Sequence, residues 1–217
     1  TSGSPHQGLL DGYSGWEGAT LRRSIWWQRG ALELQTRLNQ RAGENKVSVL
    51  RRLAPGIVDT LPTFDFLKNG DDITPFGSML QKNPTLPGLN GSLSAINPLT
   101  SVNGGTSETT DRFIKVTQRN WLDKTRGLWE DGKPIADSPY ETSTDGDDTV
   151  LTLSSVALFS NQTTFNINHG GVISDQAGIE NIFEQLGLDK TKVAATISAD
   201  IRQDVFVASL RSPGTLH

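Results

Sequence analysis

The sequence predicts an α/β fold, because strand-like runs alternate with amphipathic helices along the chain. Residues 19–42 place apolar side chains at the three- and four-residue spacing of one helix face. Residues 112–117, Arg-Phe-Ile-Lys-Val-Thr, alternate as a half-buried strand does. Residues 163–168 have the composition of a further strand, and an amphipathic helix is predicted soon after them. The order strand, loop, helix near the C-terminal end favours the α/β class.

The remaining elements follow from local signals. A helix is predicted over 47–53, ended by Pro55 and Gly56, and a short one near 75–81. Ser174 is a suitable N-cap for the last helix, and Gly187 is a suitable end for it. Residues 68–110 are rich in Gly, Asn, Pro, Ser and Thr, which is typical of a long functional or mobile loop region.

Two residue types in this framework point to acid–base chemistry. Asp147 lies in the acidic Gly turn of residues 145–148, and His169 follows it by 22 positions, which leaves room for a strand over 149–153, a turn and the strand over 163–168. A carboxylate can fix the tautomer of an imidazole and stabilise the imidazolium that forms when the imidazole takes a proton from a serine. We therefore predict that Asp147 and His169 are the acid and the base of a serine-hydrolase triad.

Composition excludes several other classes. The net charge is −4, so no basic field attracts nucleic acid. The chain has no cysteine and only three histidines, which excludes thiolate and His-rich metal sites, and no metal or cofactor is predicted. No apolar run approaches the roughly 20 residues of a membrane span, so no transmembrane segment is predicted. The acidic turn could instead bind calcium, but it lacks the spaced oxygen ligands of a dedicated calcium loop.

Three motifs resemble one family. They are Gly-Ser-Pro-His-Gln-Gly at 3–8, Leu-Pro-Thr-Phe at 61–64, and Gly-Asp-Asp-Thr-Val at 146–150 together with His169. They resemble the α/β-hydrolases, in particular bacterial lipases and acyltransferases similar to lecithin:cholesterol acyltransferase, and the resemblance covers most of residues 1–188. It is this resemblance that selects Asp147, directly after Gly146, as the acid.

The resemblance implies a domain plan and a fold class, namely the C-terminal part of an α/β-hydrolase sheet. Residues 1–18 would be a strand end and Gly/Pro loop of the core, and 19–110 a largely helical and loop-rich cap or lid. Residues 111–188 would be the C-terminal core, with 112–117 as the sheet strand before the acid. Residues 191–217 would begin an appended β region. The chain would then be a piece of a longer polypeptide, and a secreted or cell-surface bacterial location is compatible with the resemblance.

The resemblance also implies an activity on lipid-like or other carboxylic esters, by hydrolysis or acyl transfer. The substrate-binding candidates are one histidine of the first loop and four aromatic residues: His6, Trp16, Trp26, Phe64 and Phe66. For each of them a purely structural role is the alternative, since aromatic residues at helical spacing often belong to the core.

The chain departs from the family in one essential feature. No Gly-x-Ser-x-Gly nucleophile elbow is present, and the Ser/Gly clusters at 3–5 and 91–94 lack its spacing. We therefore expect the serine on an N-terminal segment of the same polypeptide or on a cleaved partner chain, and no turnover by this fragment alone. The alternative is a catalytically inactive, hydrolase-like binding or structural module of a larger surface or secreted protein.

Overall fold

The computed structural model describes residues 1–20 and 26–192. Its α-helices are Asp11–Gly18 (α1), Trp26–Leu38 (α2), Lys46–Leu53 (α3), Leu86–Gly91 (α4), Trp121–Thr125 (α5), Thr152–Ser155 (α6), Gly171–Ser174 (α7) and Gln176–Gln185 (α8). Its strands are Leu67–Asn69 (β1), Asp72–Thr74 (β2), Ser101–Gly105 (β3), Thr110–Thr117 (β4), Lys133–Pro134 (β5), Tyr140–Ser143 (β6) and Asn161–Phe165 (β7). Short 3-10 helices lie at Pro55–Thr60, Phe76–Ser78, Leu93–Ala95, Asn97–Leu99 and Lys190–Lys192.

A small parallel sheet carries the C-terminal part of the fold. Strand β3 pairs in parallel with β7 along its whole length, from Ser101 opposite Asn161 to Gly105 opposite Phe165. On its other side β3 forms a parallel bridge with the N-terminal segment, where Ser2 lies opposite Asn103. Three extended segments therefore run in the same direction with β3 in the middle, and their carboxyl ends lie at one edge.

A second sheet packs beside the first and is mainly antiparallel. Its order is β2, β1, β4, with β5 and β6 both pairing with β4. Only the β1–β4 pairing is parallel among these contacts. Strand β4 leaves the carboxyl end of β3 after a short turn, and β6 returns the chain to the same place. The two sheets are thus joined where the chain enters and leaves the second one.

Three apolar clusters hold these layers together. The largest lies between α1, β1 and β4 and also includes Leu151 beyond the acidic turn. A second joins the end of α1 to α3 through Ala19, Val47 and Leu50. The third covers one face of the parallel sheet with Val102, Val156 and Phe159. Removal of these side chains from water supplies the main driving force for folding. Across the described ranges, no helix has the length and apolar character required to cross a bilayer.

The mixed α/β content agrees with the class predicted from the sequence, and the structure corrects several elements. Residues 112–117 do form a strand, but it belongs to the second sheet, and the strand beside β7 is β3. Residues 149–153 form no strand; an isolated Gly146–Leu151 bridge is followed by α6.

The predicted helix boundaries differ in detail. Ala19 does not open a helix over 19–42; it ends α1, in the left-handed conformation. The helix predicted over 47–53 is present as α3. Asp175, not Ser174, occupies the N-cap of the last helix, while Gly187 follows its end with a positive φ, as predicted. The appended β region predicted for 191–217 falls almost entirely outside the described residues.

One carboxyl group inside the fold is buried without full pairing. Glu17 of α1 is fully buried, and its Oε2 accepts a hydrogen bond from the backbone N–H of Asp131 at 3.3 Å. Its Oε1 lies 3.6 Å from Nη2 of Arg51, and neither atom has a hydrogen-bond partner. Burial raises the pKa of Glu17 to about 7; the hydrogen bond from the backbone N–H of Asp131 and the charge of Arg51 oppose the rise, while the charges of Asp131 and Glu130 add to it.

Because the pKa of Glu17 is raised from 4.5 to about 7, we expect the free energy of unfolding to fall as pH rises between these two values. The folded protein binds the proton more tightly than the unfolded chain, so stability falls over that range, by roughly 2 to 3 kcal/mol. Urea denaturation at several pH values measures it, with Glu17→Gln as the comparison. The variant should lack this component of the pH dependence; parallel curves for the two proteins would contradict it.

Candidate active site

Asp147 lies in a hydrogen-bonded turn between β6 and α6. Its side chain is fully buried, and its backbone N–H donates to the carbonyl of Val150 at 3.1 Å. Oδ1 accepts the backbone N–H of Thr149 at 3.1 Å and that of Val150 at 2.6 Å. An aspartate that binds the backbone two and three residues ahead forms a compact turn from its own side chain. The turn therefore uses Oδ1 and leaves Oδ2 directed elsewhere.

The imidazole of His169 is hydrogen-bonded to the other carboxylate oxygen of Asp147, Oδ2. His169 lies in the loop after β7, and its backbone N–H donates to the carbonyl of Asp147 at 2.7 Å. Its Nδ1 lies 2.9 Å from Oδ2 of Asp147. Because a carboxylate accepts hydrogen bonds, we assign the proton of the neutral ring to Nδ1. The pair predicted from the sequence is thus in direct contact at two points, one in the backbone and one in the side chains.

Two glycines make room for this pair at the carboxyl edge of the parallel sheet. A Cβ on Gly105, the last residue of β3, would stand 2.6 Å from Cβ of Asp147 and would also overlap the carbonyl oxygen of Ile167. A Cβ on Gly3 would stand 3.1 Å from Cε1 of His169, and Gly3 has a φ of +65°. Glycine is needed where the backbone approaches this closely. The imidazole therefore extends from Asp147 across the end of the N-terminal segment.

The imidazole of His169 is partly exposed. The His169 side chain is 40% exposed, whereas that of Asp147 is inaccessible. Within residues 1–20 and 26–192, no hydrogen bond reaches Nε2 of His169. With Nδ1 protonated, Nε2 carries a lone pair and can accept a proton from a hydroxyl group. The arrangement has the chemistry of an oriented general base.

His6 is not joined to this pair by any hydrogen bond. Its Nε2 lies 3.1 Å from Oγ1 of Thr1, and its ring meets Phe159 edge-on at 4.7 Å between centroids. The amide of Asn90 donates to its backbone carbonyl. Burial lowers the pKa of His6. These contacts fit a structural role in the loop near the N-terminal segment.

The aromatic candidates are dispersed. Phe66 is a core residue, 2% exposed and packed edge-on against Tyr13. Trp16 donates from Nε1 to Gln81, and the guanidinium of Arg51 lies 4.6 Å from its ring centre.

Two further aromatic candidates complete the set. Phe64 is half-buried and lines a small cavity together with Leu9 and Thr149, close to the acidic turn. Trp26 begins α2, and its side chain lies outside the described part of the structure. Of these two, Phe64 is the one whose surroundings the structure describes, and they include Thr149, two residues after Asp147.

A cavity of about 630 Å³ lies between α2 and α3, and neither Asp147 nor His169 is among its lining residues. No described group of three or more His, Cys, Asp or Glu residues could hold a metal ion. In the acidic turn, both oxygens of Asp147 are already hydrogen-bonded, which leaves the calcium interpretation without its central ligand.

Three contributors to the site were not predicted. Because they have no side chain, Gly3 and Gly105 leave space for the imidazole and for Asp147. The hydroxyl of Thr110 accepts a hydrogen bond from the backbone N–H of Asp148 at 2.8 Å. A glycine at the end of a strand was the available signal for Gly105. No local pattern connects Thr110 with a turn so distant in sequence.

Comparisons with protein-family models, with curated proteins and with solved structures found no match.

The close approach at Gly105 gives a direct test of the site's packing. Gly105→Ala should lower the free energy of unfolding by about 1 to 3 kcal/mol, because backbone and Asp147 must move to admit the methyl group. Chemical denaturation measures the change. Gly30→Ala in α2 is the matched control, since its Cβ would meet nothing within 4 Å and alanine favours helix. Equal stability of the Gly105 variant and the native protein would refute this packing.

Proposed function

We propose that this chain supplies the acid and the base of a serine esterase, lipase or acyltransferase acting on carboxylic esters. The observation that carries the proposal is the 2.9 Å contact between His169 Nδ1 and Oδ2 of the buried Asp147, on a His169 side chain that is 40% exposed. A buried carboxylate that orients an exposed imidazole is the arrangement that activates a serine hydroxyl.

In the proposed reaction His169 takes up a proton and gives it back twice, once while the acyl-serine forms and once while it is resolved. As the serine oxygen attacks the ester carbonyl, its proton moves to Nε2, and Asp147 stabilises the resulting imidazolium. His169 then returns the proton to the departing alcohol, which leaves an acyl-serine. In the second half, His169 takes a proton from water or an acceptor alcohol, whose oxygen attacks the acyl group. The proton finally returns to the serine oxygen, and the catalyst is regenerated.

The parallel sheet supports this assignment. Asp147 lies beside the carboxyl end of β3 and His169 follows the carboxyl end of β7. Sites in open α/β sheets are found at the carboxyl ends of their strands. The sequence has no serine elbow, so we assign the nucleophile to a segment outside these 217 residues.

An ester with an acyl chain is the substrate class that the family resemblance favours. It rests on the motifs at 3–8, 61–64 and 146–150, and Phe64 lines a small cavity together with Thr149, two residues after Asp147. An imidazole base can take the proton of either water or an alcohol as the acyl acceptor. Hydrolysis and acyl transfer are therefore both included in the proposal.

The second candidate is a hydrolase-like module that binds or supports without catalysis. The absence of a nucleophile elbow from the sequence favours it. The two candidates make different predictions for His169. An inactive module does not need His169 to accept a proton, whereas the enzyme does.

The test is ester hydrolysis by the full-length protein, with p-nitrophenyl butyrate as substrate. Asp147→Asn and His169→Ala should each lower kcat by about 10³- to 10⁴-fold while the fold persists. Asp145→Asn is the matched control, since Asp145 lies in the same turn and is exposed. It should retain activity. Near-native kcat in His169→Ala would overturn the triad, and no activity in the native protein would favour the inactive module.

A further inference from the structure

Thr110 links the second sheet to the acidic turn. It is the first residue of β4, is 1% exposed, and pairs with Ser143 of β6. Its hydroxyl donates to the carbonyl of Glu108 at 3.0 Å and accepts the backbone N–H of Asp148 at 2.8 Å. The hydroxyl is therefore used as donor and acceptor at once, with the turn on one side.

The acidic turn packs closely against the side chain of Thr110. A Cβ on Gly146 would stand 2.5 Å from Oγ1 of Thr110 and 2.7 Å from its Cβ. The carbonyl of Gly146 accepts the backbone N–H of Glu108 at 3.0 Å. Residues on both sides of Asp147 thus contact the segment that begins β4. The direction of the Asp147 carboxylate depends on these two neighbours.

The hydrogen bond to Thr110 stabilises an unfavourable backbone conformation at Asp148. Its φ is +77°, a left-handed conformation that is unfavourable for residues with a side chain. Such a conformation persists when the surroundings fix it. The hydrogen bond from its N–H to Thr110 does so directly beside Asp147.

We propose that Thr110 is a positioning residue, which holds Asp147 in register with His169 through the backbone of Asp148. This inference rests on the proposed function for its catalytic consequence. Its structural part, the alignment of Asp147 with His169, stands independently of which reaction the pair performs.

The inference is tested with three Thr110 variants of the full-length protein. Thr110→Val keeps the shape and removes the hydroxyl, and Thr110→Ser keeps the hydroxyl. The double variant Thr110→Val with Asp148→Gly removes the hydroxyl but also the cost of the positive φ. Thr36→Val is the matched control, because Thr36 is equally buried and its hydroxyl bonds only to carbonyls of its own helix.

Two readouts separate positioning from general stability. The first is the downfield proton resonance of His169 Nδ1–H, which reports its hydrogen bond to Asp147. The second is the measurement of kcat and of KM with p-nitrophenyl butyrate as substrate. Thr110→Val should lose or broaden the resonance and lower kcat about ten- to a hundredfold at unchanged KM. Thr110→Ser should resemble the native protein, and the double variant should recover both readouts.

The outcomes distinguish the two proposals. A Thr110→Val protein that keeps the resonance, or a Thr36→Val protein that loses it to the same degree, would overturn the positioning role. If Thr110→Val does not fold, failure of the double variant to restore the resonance would do the same. If Asp147→Asn leaves kcat unchanged while Thr110→Val loses the resonance, the esterase proposal fails and the positioning role stands.

Discussion

The structure around the candidate site depends on satisfying one buried carboxylate. A carboxylate without access to water must be hydrogen-bonded, because its burial is otherwise very costly. Asp147 obtains two donors from the backbone of its own turn and a third from the ring of His169. The first two require a tight turn after β6, and the third requires the loop after β7 to pass within reach. Glycines at the ends of β3 and of the N-terminal segment leave the space for both.

The path of the chain explains how these parts meet. After β3 the chain leaves the parallel sheet, forms β4 to β6 of the second sheet, and returns beside Gly105 at the acidic turn. Asp147 therefore follows a strand of the second sheet, while His169 follows a strand of the first. The hydrogen bond from the backbone N–H of Asp148 to Thr110 connects the turn of Asp147 to the start of β4. The core that joins the turn to α1 and β4 has the same effect through Leu151.

The sequence contained enough information to predict the Asp147–His169 contact but not the sheet around it. A carboxylate in a Gly turn and a histidine in a later Gly loop are local patterns, and the structure brings the two side chains together. Strand β3, Ser-Val-Asn-Gly-Gly, lies in the segment whose Gly, Asn, Pro, Ser and Thr content predicts loops, and the family resemblance places that segment in a cap. Residues 112–117 have that alternation, but a pattern of period two does not specify which strand will be the partner. The roles of Thr110 and Gly3 arise only from tertiary contacts.

Fluorophosphonate labelling of the full-length protein, followed by mass spectrometry, tests the central claim most directly. The account predicts that one serine outside the 217 residues is labelled and that His169→Ala abolishes the labelling. The label reports the activated nucleophile itself, so the result does not depend on the choice of ester. Absence of any labelled serine would contradict the proposed activity, and a labelled serine within these residues would contradict the assigned position of the nucleophile.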